Sequence, residues 1–146
     1  METQRKGLIM ESFIKKEGNL TLREEDFMEL ERKYNFQFPK AFKDFYLKNN
    51  GLSIYLCTIS EQYEVNTFLP LRGGFSIESV KDDENVDGFI PSNMIPFAYD
   101  RGGDLYFVNV LDQAIYSIRG ETIDRHVLIA NSFEDFIEIL NKSDKR

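Results

Sequence analysis

The chain of 146 residues contains no tryptophan, one cysteine and one histidine. Each shortage closes off a kind of chemistry. A lone Cys57 forms no intrachain disulfide, so the core must hold the fold. Structural zinc needs about four Cys or His ligands, and Cys57 and His126 are the whole supply. A Cys/His nucleophile pair would have to join these two residues from distant parts of the chain. Cys57 lies in an apolar, strand-like run, where a small buried thiol is the ordinary occupant. A serine triad would also depend on His126, and no G-x-S-x-G accompanies it. No apolar run approaches the ~18 residues of a membrane span, and the N-terminus has no basic-then-apolar leader pattern. These absences together favour a soluble cytoplasmic protein. No glycine-rich loop of Walker or Rossmann form is present, so no nucleotide cofactor is expected. There is no internal repeat and no low-complexity segment.

Basic charge is also in short supply. The net charge is −7, and residues 60–100 carry eight acidic side chains against two basic ones, Arg72 and Lys81. The flanking segments are near balance. An acidic field repels phosphate backbones, which disfavours direct nucleic-acid binding and favours basic partners.

What is abundant is aromatic. Thirteen phenylalanines and seven tyrosines can build a compact core, each buried phenylalanine contributing about 1.5–3 kcal/mol relative to exposure. Phe27, Leu30 and Tyr34 recur at helical spacing after Thr21, which with Glu24 has the form of a capping box. A second helix is expected from Pro39, with Phe42, Phe45 and Tyr46 as its stripe and Gly51 ending it in a left-handed cap. Leu8, Ile9, Phe13 and Ile14 suggest a weaker helix upstream. The last helix follows Ser132 as N-cap, with Phe133, Phe136, Ile137 and Leu140 facing inward. Strand-like runs occupy residues 53–59, 63–71, 104–110, 114–118 and 126–130, the third and fourth forming a hairpin. Helices, then strands, then one helix argue for an α+β domain with a mainly antiparallel sheet, spanning residues 1–146.

Two motifs tempt a chemical reading. "DENVDG", residues 83–88, matches the first half of a calcium-binding loop, but its twelfth position is Met94 and Pro91 interrupts it. Metal is therefore not expected. The two Arg-Gly-Gly tripeptides stand singly and read as turns. The corner "DRGGD" at residues 100–104 raises the same choice between a turn, a metal site, a binding surface and a catalytic corner. Glu78, Asp82, Asp83, Glu84 and Asp87 have no evident helix start to explain them. They read as a solvated loop, or as a surface that docks a basic protein, with Tyr63, Phe68, Phe75 and Phe89 as candidate aromatic anchors.

Four ordered segments resemble the SUKH superfamily, which includes bacterial immunity proteins and a fungal regulator of cell-wall glucan synthesis. They are "LERKYNFQFPKAFKDFYLKNNG", "IPSNMIPFAYD", "RGGDLYFVNV" with "AIYSI", and "IANSFEDFIEIL", lying between residues 21 and 140. Leu52 after Gly51 departs from the second small residue common in relatives. The resemblance implies an α+β scaffold, no catalytic residues, and a turn at residues 100–104 leading into a core strand. It also implies a non-enzymatic immunity protein that neutralises a toxin domain. A nuclease with a basic cleft would suit an acidic patch of Glu78, Asp82, Asp83, Glu84 and Asp87, joined by Asp100 and Asp104. The alternatives are a protein-interaction scaffold regulating cell-wall or glucan synthesis, and an enzyme using a carboxylate pair.

Overall fold

The computed structural model describes residues 22–60, 63–87, 93–118 and 126–143. Two helices lead, α1 (Glu24–Tyr34) and α2 (Lys40–Asn49). Strands β1 (Ser53–Thr58) and β2 (Glu64–Phe68) follow, then helix α3 (Ile77–Asp87). Strands β3 (Met94–Tyr99), β4 (Leu105–Asn109), β5 (Ile115–Ile118) and β6 (His126–Ala130) precede the last helix, α4 (Phe133–Ser143). All six strands pair antiparallel with their neighbours in chain order, a meander from β1 to β6. The α+β expectation holds.

The caps explain where the helices begin and end. At α4, Ser132 Oγ accepts the Asp135 amide at 3.0 Å, the N-cap bond expected from the sequence. Gly51, with φ +73°, lies just beyond α2, where a side chain would be strained. The start of α1 differs from expectation. Arg23 is the N-cap, and its amide donates to Asp26 Oδ2 at 2.8 Å. Thr21 lies outside the described residues, as does the helix anticipated around Phe13.

Two elements were not anticipated. The first is β3, whose run "MIPFAY" carries a central proline and does not alternate. Both features follow from its place in the sheet. Ile95 and Phe97 enter the main core, while Met94 packs with Phe107 and Ile118 in a second cluster. A strand covered on two faces loses its period-two signature. Pro96 lacks an amide hydrogen, and β2 pairs with β3 only at Thr67 and Phe68, opposite Tyr99 and Ala98. The register with β4 also shifts between Pro96 and Ala98, the irregularity a proline inside a sheet requires. The second is α3. Ser76 and Ser79 cap it reciprocally, the Ser76 amide donating to Ser79 Oγ at 2.9 Å and the Ser79 amide to Ser76 Oγ at 3.1 Å.

The core is a connected set of rings. Phe42 stacks on Tyr46 (4.6 Å between centroids) and touches Phe133 (5.1 Å), which meets Phe97 at 5.5 Å. Helices α2 and α4 are thereby seated on β3. Leu52, the departure from the family pattern, is fully buried and joins this cluster. The Tyr46 hydroxyl reaches inward to two carbonyl oxygens, Leu69 at 2.7 Å and Phe97 at 3.0 Å. Its single proton is shared between them. We predict that Tyr46→Phe costs about 1–3 kcal/mol by leaving the buried Leu69 carbonyl without its donor. Phe97→Ala should cost about 3–5 kcal/mol. Urea denaturation measures both, and a Tyr46→Phe protein as stable as the parent would contradict the hydroxyl's role.

Candidate functional site

The acidic segment expected as a loop is helix α3, and its acids divide into two sets. Glu78 and Asp82 turn toward α1. Lys33 Nζ lies 2.9 Å from Glu78 and 3.3 Å from Asp82. The Tyr34 hydroxyl donates to Asp82 Oδ1 in a short hydrogen bond and lies 3.2 Å from the Glu78 carbonyl. Arg72, on the strap entering α3, sits 2.7 Å from Glu29 on α1 and 3.3 Å from Glu78. These contacts form a polar seam between α1 and α3. Beneath it Lys81 is 1% exposed, its ammonium 3.4 Å from the Met94 carbonyl and 5.9 Å from the Tyr34 ring centre.

The seam shifts its members' titrations in consistent directions. The Glu78 carboxylate, and then Asp82, hold the Lys33 ammonium protonated well above its usual range. Burial, then the bond to Asp82, pushes the Tyr34 phenol up to about 12. The Tyr34 hydroxyl and Lys33 hold the Asp82 carboxyl below the usual aspartate range. Glu29 and Glu78 likewise raise Arg72.

Asp83 belongs to the second set. It is exposed and enters no ion pair among the described residues. Glu84 and Asp87 lie on the same helix, with side chains outside the described residues. Positions 83 and 87 are one helical turn apart. The helix also departs from the half calcium loop, because positions 83 and 85 lie roughly 200° apart around it and the three alternate positions cannot all face one ion.

The corner at residues 100–104 is a turn. The Asp100 amide donates to the Asp104 carbonyl at 3.1 Å, and Asp100 Oδ1 accepts the Asp104 amide at 2.9 Å. Gly103 takes φ +93° between them. Asp100, expected on a partner-facing surface, is 6% exposed. Its carboxylate is committed to the bend. Asp104 is partly buried, and Arg101 is paired with Glu64 at 3.2 Å.

Of the four aromatic candidates, Phe68 is core and Tyr63 is partly buried. Phe89 lies outside the described residues. Phe75 is 59% exposed and rests on Tyr99 at 5.7 Å. This ring pair joins the strap before α3 to the end of β3, beside the 100–104 turn. The strap bends at Gly73 and Gly74, both at positive φ, as the turn reading of the first Arg-Gly-Gly requires. Sequence alone did not separate the exposed ring from the buried ones.

Catalytic alternatives find little geometry. Cys57 is on β1 and His126 on β6, with four strands between them in the sheet. Among the described residues no group of three or more His, Cys, Asp or Glu side chains could hold a metal ion. A groove of about 450 Å³ beside α1 has one carboxylate, Glu31. Glu31 accepts the Phe38 amide at 2.9 Å and pairs with Lys43 at 3.7 Å, so it joins α1 to α2. No described helix is long and apolar enough to cross a membrane.

An antiparallel meander carries helices before and after it, with a polar α1–α3 seam, and together they make an α+β scaffold. The sequence pattern of the SMI1 / KNR4 family (SUKH-1) matches residues 21–139, and the chain belongs to that family. Among curated proteins, none matches the chain. Family membership points to immunity or regulatory roles and to protein–protein interaction.

A pH measurement tests the seam. Because the folded Asp82 pKa is lowered, its stabilisation is present above the ordinary aspartate range and is lost as pH falls through the folded value. Tyr34→Phe removes the largest cause of that lowering. We predict that the Asp82 carboxyl then titrates at higher pH by carboxyl-carbon NMR and that the variant loses less stability on acidification. An unmoved Asp82 titration would contradict the assignment.

Proposed function

We propose that this chain is a non-enzymatic immunity protein of the cytoplasm that binds and neutralises a bacterial toxin domain. A nuclease with a basic cleft is the partner its charge fits. The observation that carries the reading is the exposed Phe75 ring, resting on the partly buried Tyr99, beside an acidic helix whose outward positions include Asp83. An aromatic anchor next to unpaired charge is the common anatomy of a protein-binding surface, the ring supplying affinity and the charge supplying encounter rate. Catalytic clefts of nucleases attract phosphate, so they also attract carboxylates.

The seam sharpens the proposal. Glu78 and Asp82 already have cationic partners, so their net field is weak. Asp83, Glu84 and Asp87 are the acids assigned to the toxin, with Asp104 at the margin. Asp100 is omitted because its carboxylate is used in the turn.

The direct experiment is co-purification and binding with the C-terminal domain of any large protein encoded beside this one. Nanomolar binding that abolishes the domain's toxicity supports immunity. No binding and no rescue would favour the family's other role, a scaffold regulating cell-wall or glucan synthesis through several host partners. Given a complex, neutralising Asp83, Glu84 and Asp87 together should slow association about tenfold or more at low salt and flatten its salt dependence. Asp82→Asn should change stability more than association. Phe75→Ala should speed dissociation by about tenfold or more. Unchanged rates and salt slope would remove this surface from the interface.

A further inference from the structure

The sheet ends on β6, and no described strand pairs with its outer edge. Such an edge offers a row of backbone donors and acceptors, and natural proteins commonly blunt it with lysine or proline. Strand β6, His126-Val127-Leu128-Ile129-Ala130, has neither residue. Its Val127 and Leu128 are 39% and 54% exposed. Beside it runs a groove of about 300 Å³ shared with α4. Ile129, Ala130 and Ile139 give the groove its apolar lining, while Asp135, Glu138 and Lys142 supply its charge.

The carboxylates do not have equal structural reasons. Asp135 is in the first turn of α4, where the helix dipole favours an acid. Glu138 lies beyond that turn, where the dipole effect has faded. Both residues are exposed, and neither carboxylate enters an ion pair or hydrogen bond among the described residues. Lys142, at the other end of the groove, gives it a direction: acidic toward the start of α4, basic toward its end.

We propose that β6 and this groove are a docking site for an extended segment of a partner protein. The segment adds as a strand along β6 and places a basic side chain against Asp135 and Glu138. Main-chain hydrogen bonds then supply affinity, and the groove supplies side-chain preference, the usual division of labour in strand addition. The space suits one or two side chains, being at the lower end of the range for small-molecule pockets. A second copy of this chain is a poorer occupant, because it would bring the same carboxylates to the same place on a protein of net charge −7. The site is independent of α3 and of the toxin reading.

Two synthetic peptides test it, a ten-residue peptide alternating valine with lysine and its counterpart with glutamate at each lysine. The readout is the amide spectrum of the isotope-labelled full chain. The lysine peptide should shift signals of residues 127–130 and 138–142, and the glutamate peptide should bind at least about tenfold more weakly. Combining Asp135→Asn with Glu138→Lys should reverse that preference, and Val127→Lys should weaken both peptides. Both changes are at exposed positions, so the rest of the spectrum should stay as in the parent. Equal binding of the two peptides, or shifts confined to other elements, overturns the proposal. So does a change at β6 with protein concentration alone that peptide does not alter, since that identifies a second copy as the occupant.

Discussion

The Tyr46 hydroxyl is the constraint on which the arrangement of the surface depends. It is fully buried, and burial holds the phenol protonated far above its ordinary range, so it acts as a permanent donor. Its two acceptors belong to different segments, Leu69 just after β2 and Phe97 within β3. The Leu69 amide returns to the Phe97 carbonyl at 2.8 Å. Three residues further along α2, Asn49 caps its own helix, and then Asn50 Oδ1 accepts the Leu71 amide at 2.8 Å. The end of α2 thus fixes the point where the chain leaves the sheet. Everything downstream on the strap inherits that position: Arg72, the Gly73-Gly74 bend, Phe75 and the start of α3. Burial of a polar group is costly unless it is paired, so these bonds also make alternative exits unfavourable.

From that exit, electrostatics decides how α3 is used. Among the described residues its apolar face is Ile77 and Val80, both buried, with a lysine, Lys81, taking the next inward position. Apolar packing of this extent gives a helix little independent stability. The seam to α1 supplies the rest of its attachment. Lys33, Tyr34 and Arg72 each meet a carboxylate of α3, and Arg72 also meets Glu29 of α1. Exposed pairs of this kind are individually worth little, about 0–1 kcal/mol, but several sharing partners restrict the helix to one docking angle. The acidity of residues 78–87 therefore serves two purposes. Part of it holds the helix, and part faces outward.

This division explains which features could be read from the sequence. Ser132, Gly51 and the stripe of Phe42, Phe45 and Tyr46 obey local rules, and the structure follows them. So does the 100–104 corner, whose glycines and aspartates form the turn that was expected. The misses have a common cause, in that nonlocal partners replace the local signal. Strand β3 hides because both faces are covered and because a shifted register tolerates Pro96. Helix α3 hides because its stripe contains Lys81, although Ser76 and Ser79 three residues apart were a readable start signal. The structural role of Asp100 is hidden because its carboxylate accepts a backbone amide four residues later. The acids Glu78 and Asp82 were grouped with Asp83 by chain proximity, whereas a helix sends them to different neighbours.

The structure thus presents an antiparallel meander, a helix, α3, clamped to α1, and an exposed ring on the strap before it. That arrangement fits a member of a family whose roles point to protein–protein interaction. The most direct measurement is amide hydrogen exchange of this chain alone and bound to the toxin domain proposed as its partner. The account predicts slowed exchange in α3 and in the strap around Phe75. A tight complex that leaves both segments at their free rates, with protection elsewhere, would contradict it.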